Sequence, residues 1–102
     1  MTDRRYVFLY SKQSSDRLRD EGRGGLEDDL DEFLKGVGET TGGGSGAGGW
    51  NLDLEFEEGV DLDVWVEKLI SFLRRWGVPQ DTYLDVNGQR QVSIYSTPEI
   101  GG

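Results

Sequence analysis

Residues 50–57 read Trp-Asn-Leu-Asp-Leu-Glu-Phe-Glu, a strict alternation of apolar and polar side chains. A period of two sends Trp50, Leu52, Leu54 and Phe56 to one side of an extended chain and Asn51, Asp53, Glu55 and Glu57 to the other, which is the pattern of a half-buried strand. Four residues on, the period changes. Asp61 is a helix-capping residue type, and Leu62, Trp65, Val66, Leu69, Ile70, Phe72, Leu73 and Trp76 then form a broad apolar stripe at helical spacing. Arg74, Arg75, Gly77 and Pro79 end it, and Val64 points away from it. A one-sided strand beside a one-sided helix buries both apolar surfaces when the two are stacked, so the fold class is α+β.

Working outward, Tyr6, Val7, Phe8, Leu9 and Tyr10 are apolar at odd and even positions alike, the reading of a central strand covered on both faces or flanked by neighbours. Residues 12–25 are polar and interrupted by Gly22, Gly24 and Gly25, which predicts a loop with at most a helical turn at 16–19. Leu26, Leu30, Phe33 and Leu34 then fall on one helical face. Glu27, Asp28 and Asp29 stand in the expected first turn, Lys35 in the last, and Gly36 and Gly38 beyond. Residues 42–49 hold six glycines and read either as a mobile hairpin loop or as a glycine strand lying close under another element. At Asn87-Gly88 a hairpin is signalled. A three-residue loop with Gly88 left-handed, pairing Asp85 with Gln89, gathers Leu84, Val86, Val92 and Ile94 on one face, whereas a two-residue loop pairing Val86 with Gln89 splits them.

The resulting order is a ferredoxin-like βαββαβ sandwich with an added C-terminal strand, two helices covering one face of an antiparallel sheet. A β-grasp fold competes, but it opens with a hairpin, and here a helix pattern follows the first strand. Residues 1–95 are expected to form one domain and residues 96–102 a flexible tail.

Composition narrows the chemistry. The 102 residues contain no cysteine and no histidine, so disulfides, thiolate metal sites and the commonest general base at neutral pH are excluded. Between residues 26 and 67 stand thirteen acids and one base, Lys35, while the remainder is net basic within a total charge of −9. Such a band repels nucleic acid and suits a basic protein surface. No apolar run approaches membrane-spanning length or resembles a secretory leader, and a cytoplasmic protein without cofactors is expected.

Candidate sites follow from these elements. Gly44, Gly46 and Gly49 satisfy G-x-G-x-x-G, but a strand rather than a helix follows, and the next charged side chains are carboxylates that would repel phosphate. The carboxylates of residues 53–63 lack the compact spacing of a calcium loop, so no metal site is expected. The serines stand in no nucleophile context, and no catalytic residue is expected. The partner-binding candidates are the polar row Asn51, Asp53, Glu55 and Glu57, with Asp28 and Asp31 on the first helix. Trp50 or Trp76, if exposed, would be a partner anchor. The function expected is a non-enzymatic acidic binding module of the immunity, antitoxin or inhibitor kind, engaging a basic protein.

Two resemblances add to this. The stretch Gly38-Glu39-Thr40-Thr41-Gly42-Gly43-Gly44, followed by Asn51, Asp53 and Glu55, is similar to small bacterial proteins of uncharacterised function and implies no activity. The final Gly101-Gly102 resembles the diglycine end of ubiquitin-like modifiers. That resemblance implies the alternative of conjugation through Gly102 by an activating enzyme, although the strand order departs from the modifier pattern and no base follows Arg90.

Overall fold

The computed structural model describes residues 5–13, 16–46 and 49–95. The chain is α+β. Its strands are β1 (Tyr6–Ser11), β2 (Gly38–Gly46), β3 (Gly49–Phe56), β4 (Tyr83–Val86) and β5 (Arg90–Ser93), and its helices α1 (Asp16–Phe33) and α2 (Leu62–Trp76). The strands make one antiparallel sheet in the order β2-β3-β1-β4-β5, with β1 at its centre.

Alternation decides which face is buried. Val7, Leu9, Leu52, Leu54, Phe56, Leu84 and Val86 point to one side and are buried. There they share one core with Leu18, Leu26, Leu30 and Leu34 of the α1 region and with Leu62, Val66, Leu69, Leu73 and Trp76 of α2. Phe33 stacks on Phe72 at 4.4 Å and meets Trp65 edge-on at 5.5 Å, joining the two helices. Asp61 caps α2, accepting the Val64 N–H at 3.3 Å, and Gly77 closes it in the left-handed conformation (φ 96°). Val64 is exposed, as its spacing requires.

Several expectations are corrected. The region read as a loop is largely helix: α1 begins at Asp16, breaks direction at Gly22 (φ 77°), and continues, so the helices comprise three segments. Leu18 is buried eight residues before Leu26, and that anchor offsets glycines that each cost about 1 kcal/mol in a helix. Glu27, Asp28 and Asp29 therefore lie inside the helix rather than in its first turn, and Lys35 lies past its end. Of the two readings of the glycine segment, the strand is the one found: it runs as far as Gly46, paired along β3 with a bulge at Thr41. Gly49 needs to be glycine: its φ is 121°, and a Cβ there would stand 2.2 Å from the Ser11 carbonyl oxygen.

The hairpin differs by two residues from the expected register. Val86 faces Arg90 and Asp85 faces Gln91, with Asn87 and Gly88 both at positive φ (57° and 71°). A shift of two preserves side-chain parity, so Leu84 and Val86 remain inward and Ile94 is buried as intended. Asn87 also extends the ladder, its N–H donating to the Tyr6 carbonyl and its Oδ1 accepting the Tyr6 N–H. β1 is central and flanked by β3 and β4, as one reading of its apolar run has it, and the described helices cover one of its faces. Tyr6, Phe8 and Tyr10 are half-exposed on the side that no described helix covers. The expected tail, with Gly101 and Gly102, lies outside the described residues.

Candidate docking face

The uncovered side of the sheet is built by register. Outward-facing Tyr6 stands beside Glu55; Phe8 stands between Asp53 and Asp85; Tyr10 stands between Asn51 and Tyr83. Beyond β3 the outward positions of β2 are Glu39, Gly42 and Gly44, and beyond β4 those of β5 are Gln91 and Ser93. Four of these side chains are carboxylates and none is Lys or Arg. The glycines leave a bare lane alongside Asp53 and Asn51, where a Cβ at Gly42 would only just touch the Asp53 carboxylate at 3.4 Å.

An aromatic ladder crosses this face. Tyr6 and Phe8 stack with centroids 6.0 Å apart and planes 12° apart; Phe8 and Tyr10 stand 6.4 Å apart, tilted by 40°; Tyr10 and Tyr83 stack at 5.4 Å. At its Tyr10 end the ladder opens into a hollow of about 340 Å³ lined by Tyr10, Ser11, Lys12, Trp50, Asp81 and Tyr83. Asp81 is held there by the Ser11 hydroxyl at 2.5 Å and the Lys12 N–H at 2.8 Å, and Trp50 donates its indole N–H to the Gln13 carbonyl at 3.0 Å.

The outward strand positions carry only negative charge, and Lys12 stands just past them at the Tyr10 end. Burial raises the Tyr10 phenol above its ordinary value of 10.0, and Asp85, Asp53 and Tyr83 raise it further. Desolvation is the larger cause, and the carboxylates add to it because a proton is held more tightly where the potential is negative. Asn51 donates its amide N–H to Asp53 Oδ1 at 3.1 Å. Asp85 differs: its Oδ1 is buried and accepts no hydrogen bond. An unpartnered buried acceptor costs about 1–3 kcal/mol.

Of the residues singled out by sequence, Asn51, Asp53 and Glu55 come together on this face, joined by Glu39 and Asp85. Glu57 is exposed but past the end of β3, and its N–H donates to the carbonyl of Val37, the residue just before β2, at 2.7 Å. Asp28 and Asp31 sit in the helical layer behind the sheet, where Asp31 accepts the Thr40 N–H at 2.8 Å and its hydroxyl at 2.9 Å, tying α1 to β2. Trp76 is buried, with its indole N–H on Asp29 at 2.8 Å, and so presents no anchor. Sequence reasoning missed Tyr6, Phe8, Tyr10, Tyr83 and Asp85. The available signal was the class of residue within the first strand, aromatic at even positions and aliphatic at odd ones.

Among the described residues no group of three or more carboxylates could hold a metal ion, and no helix is long and apolar enough to cross a membrane. Comparison of the chain with family models, curated proteins and solved structures gives no match.

Proposed function

We propose that the chain is a non-enzymatic docking module that uses its open sheet face to bind a basic protein partner. The observation that supports the reading is the composition of that face: an aromatic ladder bordered by Glu39, Asp53, Glu55 and Asp85, with no cationic side chain at any outward strand position. Exposed aromatic rings supply contact area at low conformational cost, while the carboxylates speed encounter and reject acidic partners. Nucleic acid, which also stacks on aromatic sheet faces, is disfavoured because four carboxylates would meet its phosphates. The architecture we assign is the ferredoxin-like sandwich extended by β5, a reading supported by β1 pairing with both β3 and β4 and by a helix preceding each of β2 and β4.

The test is selection of peptides from a random display library on the immobilised protein. Enrichment of Lys and Arg over Asp and Glu is expected, with binding lost in the double variant Asp53→Lys, Glu55→Lys and weakened as salt rises through the range where exposed charges are screened. Enrichment indifferent to charge, or unaffected by the double variant, would remove the proposal.

A further inference from the structure

We infer that the basic group this face selects is the guanidinium of arginine, seated on Phe8 and Tyr10 between Asp53 and Asp85; the inference rests on the docking reading above.

Geometry defines the seat. Adjacent strands are about 4.8 Å apart, so Asp53 on β3 and Asp85 on β4 stand roughly 10 Å apart at Cα with Phe8 rising between them. Tyr10 stands on the same strand as Phe8, one outward position along, its ring tilted 40° from that of Phe8 and stacked on Tyr83. A cation entering here meets the Phe8 and Tyr10 rings and has a carboxylate on either side.

Three properties favour arginine over lysine. A guanidinium is flat and stacks on ring faces, whereas an ammonium is a compact point charge. It is the more weakly hydrated, so it gives up less on entering a site floored by rings. Its five N–H donors form a rigid fork that matches a carboxylate, and Asp53 and Asp85 flank the rings. A lysine satisfies the charge of the site but neither stacks flat nor bonds a carboxylate through two parallel donors. Face-to-face pairing with a second copy of this chain is opposed by charge, since it would set Glu39, Asp53, Glu55 and Asp85 against their own likeness.

Fluorescence polarisation with three labelled octapeptides tests this, each alternating glycine with arginine, lysine or citrulline. The arginine peptide is expected to bind about fivefold or more tightly than the lysine peptide, and the citrulline peptide, isosteric but neutral, not to bind measurably. Phe8→Leu and Asp85→Asn are each expected to reduce that preference to near unity, and Glu67→Gln, on the exposed side of α2, to leave it unchanged. Equal binding of the arginine and lysine peptides would overturn the guanidinium seat while leaving the basic-partner reading in place. Equal binding of citrulline, or no binding of either cationic peptide, would overturn both. Circular dichroism of each variant separates loss of the seat from loss of the fold.

Discussion

Replacing Asp85 by valine is expected to make the free protein more stable. Asp85 carries a buried Oδ1 with no hydrogen-bond partner on a half-exposed side chain. Removing an unsatisfied buried acceptor recovers about 1–3 kcal/mol at full burial, and partial exposure places the gain at the lower end. Valine favours a strand position by up to about 1 kcal/mol over aspartate. Relief of repulsion between Asp85 and Asp53, at roughly 10 Å, adds a few tenths of a kcal/mol. Lost hydration of the exposed part of the carboxylate opposes these, leaving a net stabilisation of about 1–2 kcal/mol. For a domain of this size that is a rise in Tm of about 5–15 °C. Thermal and urea denaturation followed by circular dichroism measure it. The matched control is Asp53→Val, whose Oδ1 already accepts from Asn51, so its gain should be distinctly smaller. A destabilised Asp85→Val, or equal gains at the two positions, would refute the reasoning by showing that Oδ1 is satisfied after all. A carboxylate held where it weakens the fold is the mark expected of a group kept for binding.

Other outcomes follow from the same geometry. Leu54→Ala, fully buried on a strand with neighbours on both sides, should cost about 3–4 kcal/mol in urea denaturation. Gly49→Ala should lose at least about 2 kcal/mol, because positive φ and a carbonyl in the path of the Cβ act together, whereas Gly88→Ala, left-handed but in open space, should lose only about 1 kcal/mol. Tyr10 should titrate above 10.0 in ultraviolet difference spectra, and Asp85→Asn should bring it down towards that value. Because its folded pKa is raised, the stability Tyr10 contributes is complete below the ordinary value of 10.0 and is lost as pH rises through the folded pKa.

Much of the fold is legible in residues 50–57 and 61–77, where one period of two and one of 3.6 are each carried by side chains of unmistakable class. α1 was harder. Gly22, Gly24 and Gly25 suppress its helical signal, and only Leu18, an isolated apolar residue ahead of Leu26, Leu30 and Leu34, hints that the helical layer begins so early. The hairpin register was underdetermined for a physical reason: burial fixes parity, and registers two residues apart satisfy it equally. The candidate face was half visible. Asp53 and Glu55 stood out by charge, but Tyr6, Phe8 and Tyr10 were hidden in a run that is apolar throughout. Pairing could have separated the two parities, because the polar side of residues 51–55 must share a face with alternate residues of its neighbour, and β1 offers its aromatics there. Asp85 was unreadable without β4 beside β1.

The most direct test is a titration of the isotopically labelled protein with the arginine octapeptide, followed by amide and aromatic chemical shifts. Saturable shifts are expected at Phe8, Tyr10, Asp53, Tyr83 and Asp85, with α2 silent. Shifts centred on the helical layer around Asp28, Asp31 and Trp65, or no saturation at all, would contradict the assignment of the open sheet face as the docking surface.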